Sequence, residues 1–307
     1  MGGRLAGKVA IVTGAGRNIG RAEALALASE GASILVNDID GASAEETVAL
    51  LRDAGAQARP FAANISTWAA AEATVGAALD AFGRIDILIN NAGLARPRRI
   101  DEMSEADWDD LVDVHLKGYA AMIRHVAPHF IAQRSGTIVN TGSTSGLGQV
   151  RMANYSAPKE GVAGLTRAVA RDLGEFGVRC NMLRPVARQT GMSGPAMTHT
   201  FQESMRLGFP VNGPFYMWPN GPAAPEHVAA MALLLCLPAT AHVSGQEFYI
   251  NGVECGRFRG PELIRSQYRP DGWTIEALES PQALPYLLDG VTERYVSQDP
   301  GAAGKAP

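Results

Sequence analysis

Along most of the chain, short apolar runs bounded by glycine or charge alternate with longer stretches of helical spacing. Val9–Val12, Ser33–Val36 and Ile85–Ile89 are β-branched runs, the pattern of parallel strands buried on both faces. Between them the spacing predicts helices over Ile19–Glu30, Ala44–Ala54 and Trp68–Phe82, with Ser43 and Glu46 as a capping box for the second. Ser104 with Asp107 opens a longer predicted helix that runs to about Gln133. A strand at Thr137–Asn140, a helix at Asn154–Phe176, a strand at Val178–Leu183, a helix at Pro225–Leu237 and a strand at Gln246–Ile250 complete the series. Repeated β-α-β units imply an α/β fold: a doubly wound parallel sheet with helices on both faces. The expected division is a single catalytic domain over residues 1–256 and a C-terminal extension over 257–307.

Two regions break the pattern. Residues 191–222 hold five glycines, five prolines, four methionines and five aromatics, with Glu203 and Arg206 the only charges. They are expected to form an apolar substrate lid. The extension holds one weak amphipathic stretch, GWTIEALES, and its last residues, DPGAAGKAP, are expected to be disordered.

Composition narrows the class. Apolar residues make up 46% and charged residues 19%, with a net charge of −4, which excludes a disordered chain. The acidic balance and the lack of basic blocks argue against nucleic acid and anionic membrane as partners. Three widely spaced cysteines give no disulfide framework. The longest apolar run, Val228 to Leu237, is about half a membrane span. No signal-peptide core opens the chain. A cytoplasmic protein is expected.

The first strand runs into Thr13-Gly14-Ala15-Gly16-Arg17-Asn18-Ile19-Gly20 and then a helix. Glycines let the backbone approach a pyrophosphate, and the helix N-terminus supplies free N–H groups. The second strand ends in Asp38, placed to accept hydrogen bonds from adenosine ribose hydroxyls. Tyr155 and Lys159 stand at i and i+4 on one helix face. A tyrosine working near neutral pH needs its pKa lowered by about 3 units, or roughly 4 kcal/mol. A lysine ammonium about 4 Å away supplies roughly that much at an effective dielectric of 20. With Asn154 as N-cap, Pro158 would fall in the first turn, where its missing N–H costs nothing.

The glycine loop, Asn90-Asn91-Ala92-Gly93 after the strand at Ile85–Ile89, a serine twelve residues before Tyr155, and YxxxK occur in that order. Together they resemble the short-chain dehydrogenase/reductase family over about residues 5–253. The resemblance implies a nicotinamide cofactor and hydride transfer between it and an alcohol or carbonyl carbon. It implies that Tyr155 is the general acid/base, that Lys159 binds the nicotinamide ribose, and that Ser143 holds the substrate oxygen. Gly14, Arg17, Asn18, Ile19, Gly20, Asp38, Asn64, Ile65, Asn91, Ala92, Gly93, Pro185 and Thr190 would line the cofactor site together with Tyr155 and Lys159. A homotetramer or homodimer through the helices at 104–133 and 154–176 is also implied, with the extension reaching a neighbouring lid.

Departures from the family pattern carry information. Asn18 stands in place of a glycine, and asparagine tolerates left-handed backbone. Asn64 replaces an aspartate and Val186 a glycine, and the Ser–Tyr spacing is one residue short, so Ser145 competes with Ser143. His115 stands where many members carry a catalytic asparagine. It is either the holder of a proton-relaying water or a hydrogen-bonded core histidine. VHLKG, VNDI and GQ…ANYSA resemble the branch of the family found in the peroxisomal multifunctional enzyme and its bacterial relatives, which implies (3R)-hydroxyacyl-CoA or 17β-hydroxysteroid oxidation.

Arg17 and Asp38 point to different cofactors. Arg17 suits the 2′-phosphate of NADP and Asp38 the free ribose of NAD, and the fixed acid favours NAD. Arg96, Arg98 and Arg99 are a solvated basic loop or a phosphate contact. His125 and His129 lack further ligands, so no metal is expected. The alternatives are an NADPH-dependent 3-oxoacyl-thioester reductase and, outside enzymes, a catalytically dead nucleotide-sensing scaffold.

Overall fold

The computed structural model describes residues 3–187, 200, 203, 204, 206, 224–252 and 254–290. Its strands are β1 (Val9–Thr13), β2 (Ser33–Asp38), β3 (Ala58–Ala62), β4 (Ile87–Asn90), β5 (Gly136–Thr141), β6 (Val178–Pro185), β7 (Glu247–Ile250) and β8 (Cys255–Phe258). They form one sheet in the order β3-β2-β1-β4-β5-β6-β7-β8. All neighbours pair in parallel except β7 and β8, which are antiparallel. Chain direction across the sheet reverses between β1 and β4, where doubly wound folds form a ligand crevice at the strand C-termini.

Helices α1 (Asn18–Ser29), α2 (Gly41–Asp53) and α7 (Pro225–Cys236) cover one face of the sheet. Helices α3 (Trp68–Phe82), α5 (Gly118–Gln133) and α6 (Ala153–Asp172) cover the other. Val12, Val36 and Ile89 point into the first core, and Ile11, Leu35 and Leu88 into the second. This is the alternation of a strand covered on both sides. Helix α4 (Glu105–Val112) precedes α5, and the short helices α8 (Ile275–Leu278) and α9 (Leu284–Leu288) lie in the extension.

The structure corrects several expectations. Strand β3 was hidden because ARPFA places an arginine and a proline in a half-exposed edge strand, where proline is tolerated. Strand β8, absent from the expected series, pairs antiparallel with β7 and covers its edge. Helix α2 is capped not by Ser43 but by Asp40, whose carboxylate accepts from the N–H groups of Ala42 and Ser43. Ser104 and Asp107 form the expected capping box.

The predicted helix from Ser104 to Gln133 is interrupted by a π turn at Asp113–Lys117, where the Gly118 N–H reaches back five residues to the Asp113 carbonyl. Helix α6 begins at Ala153, so Asn154 is not its N-cap and Pro158 lies inside it. The Asn154 amide instead ties α6 to the carbonyls of Arg96 (3.1 Å) and Asp107 (2.8 Å). Helix α6 stops at Asp172, and residues Gly174–Phe176 form a 3₁₀ turn. Thr190, most of the lid at 191–222 and the final DPGAAGKAP lie outside the described residues. Among the described residues no helix is long and apolar enough to cross a membrane.

One buried group works against this fold. Glu23 of α1 is 1% exposed, neither carboxylate oxygen has a hydrogen-bond partner, and burial pushes its pKa up to about 8. Its ordinary value is 4.5, so the folded chain holds a proton that the unfolded chain releases as pH rises from 4.5 to about 8. Stability is highest below 4.5 on this account and falls through that window, by roughly 3 kcal/mol at pH 7. Glu23→Met should therefore raise the melting temperature by several degrees at pH 8 and by little at pH 5, measured by thermal unfolding.

Candidate active site

The loop after β1 is shaped by three close approaches. Gly14 has φ +63, and a Cβ there would lie 2.7 Å from the Ala92 Cα. A Cβ on Gly20 would lie 2.3 Å from the Gly14 carbonyl oxygen and 2.5 Å from the Asn91 amide nitrogen. Asn18 adopts φ +53, the left-handed backbone that a glycine usually supplies, so the loop keeps its turn. No side chain caps the N-terminus of α1, unlike those of α2, α3 and α4. The first-turn N–H groups of Asn18, Ile19 and Gly20 therefore face outward from the crevice floor, as a pyrophosphate requires.

Strand ends brace this loop. The Thr13 hydroxyl accepts from the N–H groups of Asn91 (3.0 Å) and Ala92 (3.1 Å). The Asn91 amide returns two bonds, to the carbonyls of Thr13 and Gly14. Asp38, buried at the end of β2, accepts from the Gly16 N–H at 2.9 Å and the Asp40 N–H at 3.0 Å. Arg17 turns to Asp40, with which it forms an exposed ion pair at 3.4 Å. Asn64 is exposed, its side chain accepting from the Ser66 N–H, while Ile65 is buried beneath it. Pro185 ends β6, half-buried beside the crevice.

Across the switch point, β5 ends at Thr141 and Ser143 follows in an extended conformation. The Ser143 hydroxyl accepts from the Ser145 N–H at 3.1 Å, and the same side chain acts on Tyr155 to lower its pKa. The Ser145 hydroxyl is engaged with the Gln149 side chain, so geometry puts Ser143, not Ser145, against Tyr155. Tyr155 and Lys159 are both buried on the first turns of α6.

The electrostatics differ from the expected pairing. Burial pushes the Tyr155 pKa up to about 12, opposed by the Ser143 hydrogen bond. Burial also draws the Lys159 ammonium down to about 7. Its Nζ donates to the Thr141 carbonyl at 2.5 Å and to the Tyr119 hydroxyl at 3.4 Å, and sits 5.7 Å from the Tyr155 ring centre. Desolvation of both groups outweighs the attraction between the Lys159 charge and a tyrosinate.

His115 points inward from the π turn. Its Nε2 lies 2.7 Å from the Leu94 carbonyl, and its ring meets the Tyr155 ring edge-on at 5.0 Å. Burial, together with the nearby Lys159 charge, holds its pKa well below the ordinary value of 6.5, so it is neutral at pH 7. Nδ1 is buried without a partner. The same ring explains Gly93, where a Cβ would lie 2.5 Å from the His115 Cε1. Arg96, Arg98 and Arg99 are paired with Asp110, Asp107 and Asp101. His125 lies edge-on to Trp68.

Sequence reasoning missed two buried residues here. Tyr119 carries no motif in the sequence, yet its hydroxyl reaches Lys159 and donates to the Ala92 carbonyl at 3.0 Å. Arg184 is 1% exposed and bonds the Ser143 carbonyl, Glu160 and Glu247. Charge at the end of a buried strand was the available signal for Arg184.

A phosphate-ready loop at a switch point, beside a buried Ser–Tyr–Lys cluster, defines a Rossmann-type oxidoreductase. The profile of the short chain dehydrogenase family matches residues 8–200, and the chain belongs to that family. It is 36% identical to the hydroxyacyl-CoA dehydrogenase ChsB1 of Mycobacterium tuberculosis, over 90% of this chain and 86% of that protein. It is also 36% identical to the peroxisomal multifunctional enzyme type 2 of Mus musculus, over 94% of this chain but 40% of that protein. A 3-oxoacyl-[acyl-carrier-protein] reductase FabG from Thermotoga maritima is 33% identical over 81% of this chain and 98% of its own. Among solved structures, a short chain dehydrogenase from Mycobacterium avium superposes with a TM-score of 0.78 at 32% identity, covering 93% of this chain and 96% of that one. One from Mycobacterium paratuberculosis bound to NAD gives 0.74 at 29% identity, covering 81% and 98%. The chain is an NAD(P)-dependent oxidoreductase acting on an alcohol or carbonyl group.

Proposed function

We propose that the protein is an NAD-dependent dehydrogenase that interconverts an apolar secondary alcohol and its ketone, with a 3-hydroxyacyl-CoA as the substrate class. The observation that carries the reading is the joint burial of Tyr155 and Lys159 on the first turns of one helix, with the Lys159 Nζ on the Thr141 carbonyl and 5.7 Å from the Tyr155 ring centre, beside the β1/β4 switch point. The nicotinamide, when bound, accepts or returns the hydride at the substrate carbon. Tyr155 takes the hydroxyl proton in oxidation and returns it in reduction. Ser143 holds the substrate oxygen against the Tyr155 hydroxyl, and Arg184 holds the Ser143 backbone from behind. Lys159 binds the nicotinamide ribose and favours the tyrosinate. His115 keeps the Tyr155 ring in place through its edge contact. The acyl-CoA class is supported by the similarity to ChsB1 over most of both chains. A catalytic domain over residues 1–256, with an extension assisting assembly into a dimer or tetramer, belongs to the same proposal; Leu263, Ile264 and Tyr268 of the extension are 82%, 80% and 91% exposed.

The second reading, an NADPH-dependent 3-oxoacyl-thioester reductase, is supported by the FabG similarity. The ribose end of the site favours the first. A 2′-phosphate there meets Asp38 and also Asp40, and Arg17 is already paired with Asp40. NAD is expected to be preferred by at least about tenfold, or about 1.4 kcal/mol. Asp38→Ala should narrow that gap and Arg17→Ala should leave NAD use nearly unchanged, measured as kcat/KM with each cofactor. A wild-type enzyme that uses NADP as well as NAD would reverse the ranking of Arg17 and Asp38.

A further inference from the structure

The Lys159 side chain is enclosed by groups from several elements, and one of them has no part in the reaction so far. Tyr119, on the first turn of α5, is fully buried. Its hydroxyl donates to the Ala92 carbonyl at 3.0 Å, which leaves a lone pair facing the Lys159 Nζ at 3.4 Å. The face of its ring lies 5.1 Å from the same Nζ. Both contacts favour an ammonium over a neutral amine: the oxygen as an acceptor to a charged donor, the ring through its negative face. We propose that Tyr119 is a positioning residue, holding Lys159 in its charged form and tying it to the loop after β4 through Ala92.

The other groups facing Lys159 do not supply this. His115, from the π turn, is neutral and lies edge-on to Tyr155. Tyr155, from the same helix as Lys159, is held neutral by burial, which pushes its pKa up to about 12. Thr141 of β5 offers its backbone carbonyl, a neutral acceptor. Glu23 of α1 acts on Tyr119, and being protonated near neutral pH it brings little charge. No carboxylate bonds the Lys159 ammonium among the described residues. Burial alone draws this lysine down to about 7. Support from Tyr119 therefore matters most near neutral pH.

This inference rests on Tyr155 and Lys159 acting as proposed above. If the ammonium favours the tyrosinate, loss of the Tyr119 oxygen makes both charged forms rarer at a given pH. The acid limb of kcat/KM for alcohol oxidation then moves to higher pH. The test uses full-length wild type, Tyr119→Phe, Tyr119→Met and Tyr155→Phe, assayed with NAD and a 3-hydroxyacyl-CoA across the pH range, with melting temperatures measured alongside. Tyr119→Phe keeps the ring face and is expected to lower kcat about fivefold and to move the acid limb up by at least half a pH unit. Tyr119→Met loses the ring face as well and should move it further. A limb unchanged in both variants, with kcat within twofold of wild type, overturns the inference whatever happens to the melting temperature, because a merely structural role would move only the latter. If Tyr155→Phe keeps its turnover, the reading of the whole site fails. If Tyr155→Phe is inactive while both Tyr119 variants match wild type, only the role of Tyr119 fails.

Discussion

Tyr155→Phe is expected to abolish turnover, with kcat down at least about a thousandfold, while NAD affinity stays within a few-fold. General acid/base residues contribute typically 10²–10⁴-fold. The larger figure applies here because the reaction must otherwise move its proton without a positioned group. Phenylalanine keeps the ring, so the edge contact with His115 and the packing against Met152 and Leu111 survive. What disappears is the hydroxyl, with the effect of Ser143 on it. Removing the hydroxyl takes away one buried polar group, and the Ser143 hydroxyl keeps its bond from the Ser145 N–H, so the melting temperature should change by only a few degrees. Initial rates and calorimetric NAD titration separate the two effects. Substantial retained turnover would exclude Tyr155 as the proton carrier.

The second large effect is expected at Gly20. A methyl there would press on the Gly14 carbonyl at 2.3 Å, the Asn91 amide at 2.5 Å and the Ala15 Cα at 2.9 Å. Two of these are backbone, and the Asn91 amide is held by bonds to Thr13 and Gly14, so none yields cheaply. Overpacking of this kind costs roughly 2–3 kcal/mol. The relief available is for α1 to move away from the loop, which withdraws the N–H groups of its first turn. Gly20→Ala should therefore weaken NAD binding at least about a hundredfold, or about 2.7 kcal/mol, besides lowering the melting temperature. Gly76→Ala on α3 is the matched control. A Cβ there meets nothing within 4 Å, so it should stabilise the helix by about 0.5–1 kcal/mol and leave NAD binding unchanged. Equal NAD affinities for the two variants would show that the loop does not hold the cofactor.

The parallel sheet was legible because β1, β2 and β4 are buried on both faces and read as nearly continuous apolar runs, and β5 and β6 keep short β-branched or apolar stretches between helices. Strands β3 and β8 were not, because ARPFA and CGRF are edge or half-exposed segments whose pairing is set by neighbours rather than by their own pattern. Tyr155, Lys159, Ser143 and the glycine loop were readable as motifs of fixed spacing, and the structure brings them to one crevice. Tyr119 and Arg184 were not, because both depend on tertiary placement. The π turn at Asp113–Lys117 rotates α5 relative to α4, and only then does Tyr119 face Lys159. Arg184 is buried only because Glu247 and Glu160, distant in sequence, meet it. Desolvation was likewise invisible. Spacing shows that Tyr155 and Lys159 are neighbours, but the depth at which α6 buries them decides their charge.

The central claim is that this site oxidises an alcohol with NAD. The most direct measurement follows the absorbance of reduced nicotinamide when purified protein meets NAD and a panel of 3-hydroxyacyl-CoAs, hydroxysteroids and cyclic alcohols, with NADP run in parallel. The expected result is reduced cofactor formed from NAD with the 3-hydroxyacyl-CoAs, and at least about tenfold less efficiently from NADP. Absence of reduced cofactor from every alcohol with both nicotinamides, together with no oxidation of reduced nicotinamide by the matching ketones, would contradict it.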